Sequence, residues 1–103
     1  MRFLKEMYVG EGVKNKQTVM WKLKHGAGML DIYVISLSNG SDQLDCIKCC
    51  YFKQKAIRDS VGTIVGLARG YSEAKKLMIM MIEESLQKTG SANVKEYLMN
   101  YKK

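Results

Sequence analysis

Thr18–Lys24, TVMWKLK, is the stretch on which the front half of the chain turns. Val19, Trp21 and Leu23 alternate with Thr18, Met20, Lys22 and Lys24. A period of two predicts a strand with one dry face and one wet, lysine-bearing face. His25-Gly26-Ala27-Gly28 then reads as a turn. Beyond it, residues 29–38, MLDIYVISLS, are apolar on both faces and rich in Ile, Val and Tyr, as suits a central strand. Asn39-Gly40, within SNGSD, supplies the positive φ angles of a tight hairpin turn. Leu44–Lys53, LDCIKCCYFK, is therefore expected to pair back as the next strand. Phe3–Gly10, FLKEMYVG, is a further candidate strand. Residues 53–60, KQKAIRDS, form a polar break, and 62–68, GTIVGLA, a short buried strand. On that strand Gly62, Gly66 and Gly70 would share a face and leave a shallow channel for a helix backbone.

The period changes from two to 3.6 after residue 70. In Tyr71–Gly90, YSEAKKLMIMMIEESLQKTG, Ser72 is the candidate N-cap and Glu73 complements the dipole of the first turn, while Lys88 and Gly90 mark the other end. Ala74, Leu77, Met78, Met81, Ile82 and Ser85 fall on one face, widened by Ile79 and Leu86, with Met80 off the stripe. A second helix starts at Ser91, with Val94, Tyr97, Leu98 and Tyr101 at helical spacing. The expected fold class is α+β: an antiparallel sheet of four to five strands followed by two C-terminal helices, the longer packed on one sheet face. Residues 1–103 are expected to be one small domain, strand-rich over 1–70 and helical over 71–103.

Three cysteines within five positions raise the question of chemistry. On a strand, Cys46 and Cys49 face opposite ways, and Cys46 and Cys50 stand about 13 Å apart. Two sulfurs on one zinc ion come within about 4.6 Å of each other. The pleated geometry therefore predicts small buried hydrophobes and no metal site. His25, the only histidine, lies in a lysine-flanked turn, and no serine sits in a nucleophile elbow. Glu83 and Glu84 are neighbours on a helix's polar side, and Gly26-Ala27-Gly28 is too short for a phosphate fingerprint. No catalytic residue and no cofactor are expected. The odd cysteine count and the absence of an apolar leader over the first residues fit a reducing cytoplasm. The longest uncharged apolar run, Leu77–Ile82, is far too short to span a membrane.

Seventeen basic and ten acidic side chains give a net charge of +7. Residues 1–58 hold ten basic and five acidic side chains, residues 59–103 seven and five. Such a field favours polyanions. The first functional expectation is thus a non-catalytic module binding nucleic acid or another polyanion through a basic sheet surface. Lys14, Lys16, Lys22, Lys24, His25, Lys48, Lys53, Lys55 and Arg58 are its candidate contacts. On a strand Trp21 would point away from Lys22 and Lys24, so base stacking is not expected. An alternative is a protein-interaction or homodimerisation module using the Met/Tyr-rich helices, with Met80, Tyr97 and Tyr101 at the interface. Thiol or metal chemistry at Cys46, Cys49 and Cys50 comes third.

Overall fold

The computed structural model describes residues 1–27, 31–38 and 44–101, with the backbone alone for Tyr101. Among the described residues four strands and four helices follow one another: β1 Phe3–Val9, α1 Lys16–Lys24, β2 Ile32–Leu37, β3 Leu44–Lys48, a 3₁₀ turn Cys49–Lys53, α2 Lys55–Ser60, β4 Ile64–Arg69, α3 Tyr71–Thr89 and α4 Val94–Tyr101. The fold is α+β, with the sheet order β1-β4-β2-β3.

The sheet is mixed, which corrects the expected antiparallel arrangement. β2 pairs antiparallel with β3 and with β4, but β1 pairs parallel with β4. β3 and β4 run the same way on either side of β2, so residues 49–63 must cross the sheet to join them. Parallel strands need a connection of about a dozen residues or more. The segment expected to be a simple polar break supplies it as the 3₁₀ turn and α2.

The second correction concerns TVMWKLK, which is helical. Asn15 is the N-cap, and its side chain accepts a hydrogen bond from the Thr18 amide at 3.1 Å. Val19 and Leu23, four residues apart, are the buried pair, so the same residues that mimic strand alternation also satisfy a helical face. The hairpin turn at Asn39-Gly40 lies outside the described residues, as does Gly28. β2 and β3 nonetheless pair antiparallel, as expected, with Ile35 opposite Cys46.

Both faces of the sheet are covered. On one, Leu4, Ile35, Leu37, Val65 and Ala68 meet Ala74, Leu77 and Met81 of α3 and Val94, Tyr97 and Leu98 of α4. On the other, Ile32, Val34, Ile64 and Leu67 meet Val13, Val19, Leu23, Cys49 and Phe52. A bulge lies in β4, where Ile35 pairs with Gly66 and Ser36 with Ile64, leaving Val65 as the extra residue. Gly66 is glycine for want of room: a Cβ there would stand 3.1 Å from Met81 Cε and 3.2 Å from the Tyr8 carbonyl oxygen. The expected three-glycine channel does not form. Gly62 precedes the strand, and Gly70 is the N-cap of α3 at φ 82°, a conformation that glycine adopts without steric cost. Ser72, the expected cap, is the second residue of that helix. Gly90 closes it as expected, its amide donating to the Leu86 carbonyl.

Candidate functional site

Most of the side chains singled out for charge are carried on the segments that cover one sheet face, and not on an open sheet. Residues 13–27 and 49–61 make this covering. They hold Lys14, Lys16, Lys22, Lys24, Lys53, Lys55 and Arg58 against a single acid, Asp59. Lys48 stands apart from them, at the end of β3 opposite Tyr33, on the strand face that Leu44 and Cys46 turn toward α3 and α4. The rest of the sequence has ten basic and nine acidic side chains. A net +6 of the total +7 therefore resides in one layer.

Arg58 joins the parts of that layer. Its Nη1 donates to the Phe52 carbonyl at 2.7 Å and to the Lys53 carbonyl at 3.0 Å, closing the 3₁₀ turn on α2. The same guanidinium fills the space where a side chain at Gly26, just past the end of α1, would lie. Gly26 is at φ 68°, so both its backbone and its surroundings call for glycine. Phe52 is fully buried beneath, alongside Leu23 and Cys49.

With TVMWKLK helical, Trp21 is turned outward. Its indole is 58 % exposed and stacks on His25, with ring centroids 4.2 Å apart and planes 22° apart. The His25 backbone amide donates to the Trp21 carbonyl at 3.1 Å, and the ring Nδ1 lies 2.8 Å from the same oxygen. A carbonyl can only accept, so Nδ1 carries the proton. His25 is thus a stacking partner held to its own helix. Lys22 and Lys24 occupy the last turn of α1, where cations complement the dipole. The Lys24 ammonium also sits 5.4 Å from the centre of the Phe3 ring. Tyr51, on the 3₁₀ turn next to α1, is 53 % exposed.

The layer contains a cleft of about 270 Å³ lined by Lys14, Lys22 and Arg69, with Asn15 and Thr18 at its rim and Val13, Val19 and Ile32 as apolar floor. No acidic side chain lines it. Arg69, outside the expected set, comes from the end of β4. The loop beside it is held by Glu73, whose carboxylate accepts from the Gly12 amide at 3.0 Å and the Arg69 amide at 2.8 Å. A Cβ at Gly10 would collide with that carboxylate, so the spacing Gly10-Glu11-Gly12 is the signal in the sequence that marks this clasp. Lys55 is ion-paired with Asp59 at 3.0 Å, both exposed. Lys16 and Lys53 stand in solvent at the start of α1 and the end of the 3₁₀ turn, and Lys48 lies exposed at the end of β3.

The cysteines divide between two elements. Cys46 lies on β3, half-buried, and burial pushes its thiol up. Cys49 and Cys50 begin the 3₁₀ turn, the first buried and the second exposed. The strand thus ends before them, a correction to LDCIKCCYFK as one continuous strand. Among the described residues no group of three His, Cys, Asp or Glu side chains could hold a metal ion.

Of the three residues expected at a helical interface, Met80 is exposed and Tyr97 is buried. Tyr97 belongs to the core, and its hydroxyl donates to Glu84 Oε1 at 2.6 Å. The side chain of Tyr101 lies outside the described residues. Among the described residues no helix is long and apolar enough to cross a membrane. Comparison of the chain with protein-family models, curated proteins and solved structures finds no match.

Proposed function

We propose that the chain is a non-catalytic binding module that takes nucleic acid on the layer formed by α1, the 3₁₀ turn and α2. The observation that carries this reading is the segregation of charge, with +6 of the net +7 on one layer and +1 elsewhere. Phosphate contacts from lysine and arginine release counterions, so log K falls with log salt by about 0.9 per neutralised phosphate. Cys46, Cys49 and Cys50 carry thiols and not disulfides, which supports a reducing compartment such as the cytoplasm.

The test is fluorescence anisotropy with labelled oligonucleotides across a salt series. Lys16→Glu with Lys53→Glu alters two exposed side chains on two elements of the layer, and is expected to weaken binding at least about tenfold and flatten the salt slope by roughly two. Lys75→Glu with Lys76→Glu, on α3, reverses the same charge on the neutral side and is expected to change affinity less than twofold. Equal effects from the two pairs, or binding indifferent to salt, would remove this reading.

A second reading, self-association, is favoured by one observation. Ile79, Ile82 and Leu86 stand exposed along α3, as does Tyr71 at its start. Two copies could meet on this helix about a two-fold axis without like-charge repulsion, because its three basic and three acidic side chains cancel. Light scattering decides: a dimer mass abolished by Ile82→Asp supports it, and a monomer mass at every concentration discards it.

A further inference from the structure

We infer that the nucleic acid taken by the charged layer is single-stranded, with an unpaired base stacked on the Trp21 indole. This rests on the binding reading above and names the partner more closely. Charge alone does not distinguish a duplex from a single strand, since both present phosphates. Trp21 does. An indole left 58 % exposed on a helix flanked by Lys22 and Lys24 is an apolar, π-rich surface in the middle of a cationic field. Aromatic side chains set among backbone-tracking cations are the means by which proteins hold single strands regardless of sequence.

Two features make this indole a platform and not merely a residue left outside. First, it is pre-oriented. The His25 ring lies against one of its faces at 4.2 Å, and that ring is itself held by Nδ1 to the Trp21 carbonyl. Little side-chain freedom is left to lose when a base arrives. Second, Lys22, the next residue, lines the 270 Å³ cleft with Lys14 and Arg69. That space suits a phosphate with part of its sugar, beside the stacked base. A duplex keeps the faces of its bases inside the helix and presents only backbone and groove edges, neither of which stacks on an indole. Tyr51 is a second exposed aromatic, on the adjoining 3₁₀ turn.

Trp21 is the only tryptophan, so its fluorescence reports on this one position. The experiment titrates the full chain with a single-stranded oligonucleotide, the same sequence as a duplex, and inorganic polyphosphate, all at equal phosphate concentration and salt. The single strand is expected to quench the emission and to bind at least about tenfold more tightly than the other two. Labelled-probe anisotropy then compares variants. Trp21→Ala is expected to weaken single-strand binding about 5- to 100-fold, with duplex and polyphosphate binding held within twofold. Trp21→Phe, which keeps a stacking ring, is expected to recover most of the loss. Because the ring is on the surface, unchanged thermal unfolding of both variants serves as the control for folding. Equal binding of all three ligands with no effect of Trp21→Ala overturns the stacking inference while the polyanion reading survives. Equal weakening toward all three also overturns it, since Trp21 would then be supporting the layer. No binding to any of the three removes both.

Discussion

The two layers that cover the sheet do opposite jobs. On one side α3 runs 19 residues across the strands and buries Ala74, Leu77, Met81 and Ser85, with α4 adding Val94, Tyr97 and Leu98. On the other side the covering is split into three short pieces. α1 contributes Val19 and Leu23, the 3₁₀ turn contributes Cys49 and Phe52, and α2 has no buried residue at all. On the first side α3 and α4 carry as many acidic as basic side chains, and the second carries +6 of the net +7. Lysines kept in water cannot also fill a core, and crowded like charges repel. The charged layer must therefore hang on a few large anchors. Local stability follows buried apolar contact, so amides of α1 and α2 should exchange through openings of lower free energy than those of α3.

Phe52 is where the contrast can be broken most sharply. Phe52→Ala removes the largest fully buried side chain and loosens the turn whose carbonyls hold Arg58. The expected loss is about 3–5 kcal/mol by urea denaturation, with weakened oligonucleotide binding in the fraction still folded. A loss below about 1 kcal/mol would mean that the layer is held by something other than its anchors.

The next test concerns the seam between the layers. Glu73 stands on α3, yet its carboxylate holds the Gly12 and Arg69 amides beside the cationic cleft. Glu73→Ala strands both donors and is expected to cost about 1–3 kcal/mol. Glu73→Gln keeps one acceptor oxygen and should lose less. Because Gly12 and Arg69 border the cleft, the alanine variant should also weaken binding, whereas a purely local helix effect would leave affinity untouched.

The same division explains what was legible in the sequence. α3 was legible because its apolar period is sustained over five turns, long enough to exclude any other structure. α1 was not, because Val19 and Leu23 satisfy a period of two and a spacing of four alike. The residue that resolves the ambiguity, Asn15, lies outside the alternating window. Alternation alone puts Trp21 on the dry side with Val19 and Leu23, whereas the helix turns it out into solvent. α2 has no fully buried residue and sets Ile57 alone of its side chains against the core, so no periodicity announces it. The parallel pairing of β1 with β4 depends on where the 49–63 crossing lays the chain, which no local pattern records. The basic residues themselves were legible as a group, and their arrangement was not. Cys46 fell on a strand as its neighbours indicated, but the strand stops at Lys48, before the other two thiols.

The smallest expected effect tests the neutral layer alone. Tyr97 donates to Glu84 at 2.6 Å. That hydrogen bond first, then burial and then the Glu84 charge push the phenol up to about 12. Tyr8, against the same carboxylate, is raised as well, by burial first and then by its hydrogen bond to Glu84. A phenol with a raised folded-state pKa holds its proton more tightly in the folded chain than in the unfolded one. Its contribution is therefore complete below the ordinary value of about 10 and is lost as pH rises toward 12. Tyr97→Phe should cost about 1 kcal/mol at neutral pH, by urea denaturation, and should flatten part of the alkaline decline. Oligonucleotide affinity should stay within twofold, since the change lies across the sheet from every residue of the charged layer. A Tyr97→Phe chain that folds normally but binds poorly would mean that the α3–α4 side sets the posture of the cationic side. The two coverings would then have to be treated as a single working surface.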